Sequence, residues 1–174
     1  LVITRAKGES HHWGWYDAVT GLRKWLITNN NGSENTGDYG PSAYNTNNTE
    51  FYGNHTPANS DYLNETYNGW FIKAGESTSS NSNGSITSTV SVNAAAGFSI
   101  VRFTGTGSSA TVGPGLSAAP EIVIVKRTDS TGNWSVSGSV GGLTYGSNKL
   151  TFNSSNGANT DTNEVTAASS TTFT

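Results

Sequence analysis

An ordered series of residues occurs twice in this chain at a fixed distance, and any fold must build both copies alike. Leu1-Val2-Ile3 aligns with Ile122-Val123-Ile124, an offset of 121 that also places Arg5 on Lys126, Trp13 on Trp134 and Val19 on Val140. Gly21-Leu22 falls on Gly142-Leu143. After three inserted residues, Leu26 falls on Leu150 and Asn29 on Asn153. The stretch WLITNNNGSENT at 25–36 then matches KLTFNSSNGANT at 149–160. One such match arises by chance among simple strands. An ordered series with a single small insertion points to internal duplication. A spacing of more than about 100 residues is that of a tandem domain, not of a solenoid repeat.

Each copy reads as strands and turns, because short β-branched runs are separated by Gly, Asn and Ser clusters. Ser (24), Thr (24), Asn (20) and Gly (21) together make up 89 of the 174 residues. Hydrophobic residues are 33% and charged residues 12%, both below usual globular values. So polar a chain can be disordered. Here 5 Trp, 7 Tyr and 6 Phe supply large surfaces to bury. The expected fold is all-β: tandem antiparallel β-sandwich modules, jelly-roll-like, with thin cores. The first module is expected over 1–73, with opening strands absent and a long Tyr/Asn/Gly insert at 36–70. Residues 74–96 read as a Ser/Asn/Gly linker and a strand, SITSTVSV at 85–92. The second module is expected over 97–174, with its closing strand absent. GFSIVRFTGTG (97–107) reads as a strand and Gly turn, and TVGPGLSAAP (111–120) as a loop whose Pro and Gly forbid regular structure. DAVTGLRKWL (17–26) could hold one turn of helix, weakened by Gly21 and its β-branched neighbours.

Charge and composition exclude several functions. Net charge is −3 and the pI about 5.5, so no basic surface is available to neutralise a phosphate backbone. No apolar run approaches the roughly 20 residues that span a bilayer as a helix, and no signal-peptide pattern occurs. Without Cys there are no disulfides. Without Met, residue 1 is not a translation start, and the chain is expected to be a processed product or a segment of something longer.

The stretch 73–127, KAGESTSSNSNGSITSTVSVNAAAGFSIVRFTGTGSSATVGPGLSAAPEIVIVKR, resembles a domain repeated in tail-fibre-like and other virion structural proteins of marine tailed phages, cyanophages among them. The shared elements are the KAG turn (73–75), the GSITS strand (84–88), AGFSIV (96–101), a TG-G turn, a VG-GL loop (112–116), AP (119–120), the IVIVK strand (122–126) and Trp134. The resemblance covers 73–135 directly. Through the repeat it extends to 1–36 and 136–174. The family's loop carries His where Pro114 stands here, so no role resting on that His is carried over. Copies in the family open with the AGFSIV strand and end on a closing strand. NGWFIKAG at 68–75 is the candidate closing strand of the first copy, and none is evident in the second. The resemblance implies a fibre component cut across its modules.

No catalytic residues are expected. A glycosidase needs two carboxylates roughly 5–10 Å apart. Asp17, Glu34 and Asp38 could converge, but carboxylates on turns are more often solvated or capping groups, and no GxSxG elbow with a triad occurs. No metal or other cofactor is expected. His11 and His12 point to opposite faces of an extended strand, and NTDTNE (159–164) lacks the full calcium-loop pattern. Carbohydrate binding is the strongest site hypothesis, since flat rings beside amides suit sugar faces and hydroxyls. The candidate glycan or partner contacts are Tyr39, Tyr44, Tyr52, Tyr62, Tyr67, Trp70, His11 and His12. Trp13 and Trp134, equivalent by the repeat, are expected as structural core, and Trp15 shares a face with Trp13.

The functional expectation is a phage virion structural protein, on the particle surface and extracellular: a tail-fibre or appendage component that displays host-contacting surface. Its partners would be other virion proteins and its own copies, with a trimer favoured, and a host-surface glycan. No nucleic acid and no membrane insertion are expected. A capsid decoration protein is the nearest alternative. A bacterial extracellular carbohydrate-binding module is an alternative of another class, and it would be monomeric.

Overall fold

Val2, Thr4 and Ala6 alternate with Ile3, Arg5 and Lys7, and this period of two makes the first strand, β1 (Val2–Lys7), with Val2 and Ala6 buried. A computed structural model describes residues 1–7, 12–37, 41–44, 51–53 and 66–174, with side chains in 1–7, 12–37 and 66–174. It shows an all-β, antiparallel, sandwich-type chain. β1 is followed by β2 (Gly14–Tyr16), β3 (Lys24–Ile27), β4 (Asn35–Thr36), β5 (Pro41–Tyr44), β6 (Phe51–Gly53) and β7 (Thr66–Phe71). Then come β8 (Ser79–Asn81), β9 (Ser88–Asn93), β10 (Phe98–Arg102), β11 (Ile122–Lys126), β12 (Trp134–Gly138), β13 (Asn148–Thr151) and β14 (Asn159–Thr160). The sheets run β4-β3-β2-β1-β7, β10-β9-β8 and β11-β12-β13-β14, with β5-β6 as a separate hairpin.

The repeat is reproduced pair by pair in the ladders. Val2 lies opposite Tyr16 and Ile3 opposite Trp15, as Val123 lies opposite Ser137 and Ile124 opposite Val136. Trp15 pairs with Leu26 as Val136 pairs with Leu150. Trp25 pairs with Asn35 as Lys149 pairs with Asn159. Side-chain bonds repeat too. The amide of Trp13 donates to Asn29 Oδ1 at 3.1 Å, and that of Trp134 to Asn153 Oδ1 at 2.9 Å. The three inserted residues fall in the turn between β12 and β13. There Tyr145 packs on the second core and donates to the carbonyl of Pro120 at 2.8 Å, so the insertion is absorbed without disturbing register. Residues 17–23 make a turn, not helix: Asp17 accepts from the amides of Val19 and Thr20, and Gly21 sits at φ 96°.

Residues 74–96 carry the strand expected in their second half, β9, and a further strand, β8, where the composition suggests linker. β8 and β9 pair with each other and β9 with β10. Their apolar residues supply the reason: Ile86 joins Val112, Val123, Val165 and Phe173 in the main buried cluster, so the stretch helps cover the second repeat. Cross-links tie the repeats together. The amide of Glu34 donates to the carbonyl of Thr128, and that of Gly132 to Asn31. Trp134 donates from Nε1 to the carbonyl of Ile27 at 3.0 Å, and its ring lies 5.2 Å from that of Trp15.

The matched amide bonds give a paired test. Asn153→Ala leaves a part-buried amide without its acceptor and is expected to cost about 1 kcal/mol. Asn29→Ala, at an exposed bond, is expected to cost less, because water replaces the lost oxygen. Urea titration of both variants measures the difference. Equal losses would mean that the two sites are not graded by burial.

Candidate functional site

The face of the first sheet that carries Ile3 also carries Trp15, Leu26 and Trp70, because these are direct cross-strand partners. Trp13 lies two residues before Trp15 and joins the same face. Trp13 and Trp70 are 57 positions apart in sequence, yet β1 brings their rings to 5.1 Å at a 33° tilt. Ile72, Thr28 and Asn29 border this pair, and Phe152 of the second repeat closes the far side. The result is an open groove of about 400 Å³ with an apolar lining, within the usual range of small-molecule sites.

Polar groups sit at one end. Asn29 holds the Trp13 amide with Oδ1, while its Nδ2 lies 3.0 Å from His12 Nδ1. The Arg5 guanidinium carbon stands 5.3 Å from the Trp13 ring centroid, a cation–π distance. Trp70 is 46% exposed and Phe152 50%. Large rings held open by packing from below, beside an amide and a guanidinium, can stack on an apolar face and bond to hydroxyls around it.

The expected contact residues divide. Trp70 and His12 come to this groove. Tyr67 is on β7, 42% exposed and opposite Ala6, one residue from Arg5. His11, Tyr39 and Tyr62 lie outside the described residues. Tyr44 and Tyr52 are placed by backbone on β5 and β6, Tyr44 opposite Phe51, and their side chains lie outside the described residues. Of the two expected core tryptophans, Trp134 is 2% exposed. Trp13 is a correction. It occupies the equivalent position but lines the groove half-buried, because among the described residues nothing like the Trp15–Ile27 surface covers it. Ile3, Thr28, Asn29, Ile72, Arg5 and Phe152 were missed by sequence reasoning. The repeat held a usable signal for one of them, since Asn29 matches Asn153 beside each Trp.

The carboxylates considered for catalysis are engaged elsewhere. Asp17 is buried and takes the Thr20 hydroxyl on Oδ2 at 2.9 Å besides its two amides. Glu34 is held by Lys24 at 3.0 Å and by Arg102 at 2.9 Å. Asp38 lies outside the described residues. In the acidic stretch 159–164, Asp161 meets Lys149 Nζ at 2.6 Å, and Glu164 meets the same ammonium. The hydrogen bond from Lys149 holds the Asp161 carboxyl below the usual carboxylate range. These oxygens serve a lysine and a turn. Among the described residues, no cluster of three or more His, Cys, Asp or Glu is placed to hold a metal ion. No helix among them is long and apolar enough to cross a membrane.

No curated protein and no solved structure matches the chain significantly. One family does, over the full span of both repeats. By that match to residues 1–174, the chain belongs to the DUF7483 family, a domain of unknown function.

Proposed function

We propose that this chain is a non-enzymatic structural module of a phage virion, carried in a tail fibre or appendage, and that it presents the aromatic groove to a host-surface glycan. The observation that carries the glycan part is the Trp13–Trp70 pair, stacked at 5.1 Å on a rigid sheet and open to solvent beside Asn29 and Arg5. A pair of rings packed only for stability would be covered, as Trp134 is. The virion part rests on the resemblance of residues 73–127 to phage fibre domains, and the tandem repeat fits an extended appendage. On this reading the partners are other virion proteins and further copies of the chain, and the location is the particle surface.

The test is binding of bacterial surface oligosaccharides to the purified chain by calorimetry. Trp70→Ala, at an exposed position, is expected to leave the fold intact and to weaken binding at least about tenfold. Binding that is absent across a broad glycan panel, or indifferent to Trp70→Ala, defeats the glycan reading. Antibody labelling of intact particles separates the placements. Label on the tail supports the fibre, label on the head supports the decoration alternative, and label on a bacterial surface alone supports the free binding module.

A further inference from the structure

The two repeats differ at one edge. In the first, the outer edge of β1 is filled by β7 over six residue pairs, from Val2 opposite Phe71 to Lys7 opposite Thr66. Leu1 belongs to the same ladder, since its carbonyl accepts from the amide of Ile72 at 2.8 Å. In the second, β11 pairs with β12 on its inner side alone, and among the described residues nothing pairs with its outer side. Residues 161–174 run elsewhere: Val165 and Phe173 enter the second core, and Phe173 pairs with Val112.

The hydrogen-bonding parity of this edge follows from two bonds. The carbonyl of Glu121 accepts from the amide of Ser139, so Glu121, Val123 and Val125 direct their backbone groups inward to β12. Ile122, Ile124 and Lys126 therefore direct theirs outward. They are the equivalents of Leu1, Ile3 and Arg5, the positions that face β7 in the first repeat. The side chains add to the exposure, with Ile122 51% and Ile124 40% exposed. Edge strands are normally blunted by proline, bulges or charge. From 122 to 125 this strand has none of these.

We propose that β11 pairs with β11 of a second copy of this chain, antiparallel about a twofold axis, with Ile124 opposite Ile124. In that register Ile122 lies opposite Lys126, and all six outward backbone groups of each copy find partners. The end charges choose it. Glu121 falls opposite Arg127 of the partner copy, twice. Sliding one way by a residue pair sets Glu121 against Val125. Sliding the other way sets it against Asp129, and like charges directly opposite are unfavourable. Arg127 already holds Asp129 at 2.7 Å, but both groups are well exposed and such surface pairs are weak. The contact is isologous and closes at two copies, whereas the fibre resemblance led to an expectation of three.

The test is sedimentation equilibrium of the full chain with three variants. The wild type is expected to form dimers below about 100 µM, an ordinary affinity for a small interface. Ile124→Pro removes one outward amide, which has no partner among the described residues, and an edge strand tolerates proline there. It is expected to be monomeric with an unchanged far-ultraviolet spectrum. Should that variant misfold, the charge variants decide. Glu121→Arg is expected to weaken dimerisation about tenfold, and Glu121→Arg with Arg127→Glu to restore it. A wild-type monomer at the highest concentration, a trimer or open polymer, a folded Ile124→Pro that still dimerises, or a double variant that fails to recover would each overturn the proposal.

Discussion

Replacing Trp134 by alanine is expected to cost about 3–5 kcal/mol, the range for deleting a large aromatic from a packed site. Three losses combine. The ring is 2% exposed and packs on Trp15 at 5.2 Å and Phe152 at 6.3 Å. Its Nε1 bond to the carbonyl of Ile27 disappears, leaving that acceptor facing a cavity. The link it makes runs between repeats, so the seam opens as well. Trp134→Phe keeps most of the packing and loses the bond, with an expected cost of about 1–2 kcal/mol. Trp13→Ala, the equivalent change in a half-buried groove residue, is expected to fall clearly below Trp134→Ala. Denaturant titration of all three checks the order. If Trp134→Ala costs no more than Trp13→Ala, the seam is not where the stability lies.

Gly84→Ala is expected to destabilise by about 3 kcal/mol or more, a size reserved for strain and clash. Gly84 has φ 98°, where a side chain is strained. An added Cβ would also stand 2.5 Å from the carbonyl oxygen of Thr111 and 2.7 Å from its carbon. These are backbone atoms that cannot swing away. The Thr111 carbonyl accepts from the amides of Ser85 and Ile86, bonds that hold the segment before β9 beside Val112 of the second core. Gly97→Ala is the control. Its φ is 65° but nothing lies within 4 Å of the added carbon, so backbone strain alone applies, about 1–2 kcal/mol. Thermal melts of the two variants separate clash from strain. Equal shifts would mean that the Thr111 backbone yields.

The repeat was the most legible feature, and it carried far. An offset of 121, stepping to 124 after the insertion, carries each strand pairing of one repeat onto the other, because register follows the side-chain period and the turns that fix it. It also matched Asn29 to Asn153, although only the structure shows that each holds the amide of its Trp. Local signals were weaker. The Ser/Asn/Gly content of 74–96 hid β8, whose Ser79-Ser80-Asn81 lends no apolar side chain to a core, whereas the β-branched SITSTVSV stretch did announce β9. The short run 17–26 held both a turn and a strand, and Asp17 settled it by capping its own turn.

The sequence alone determined the class of fold and the duplication, since these follow from alternation, turn residues and matched order along the chain. Tertiary structure alone decided what each copy does with equivalent residues. Trp13 and Trp134 donate the same amide bond to an Asn and accept from equivalent amides, Thr28 and Phe152, so local sequence makes them alike. Their burial differs because Trp134 packs under Trp15 and Ile27 of the other repeat, whereas Trp13 borders an open groove. Likewise, β1 and β11 carry the same outward backbone groups, but among the described residues only β1 is met by a strand. Burial and edge pairing depend on which distant segment arrives, here Trp70 from 57 positions beyond Trp13 and Phe152 from the other repeat. The groove exists only where those segments meet.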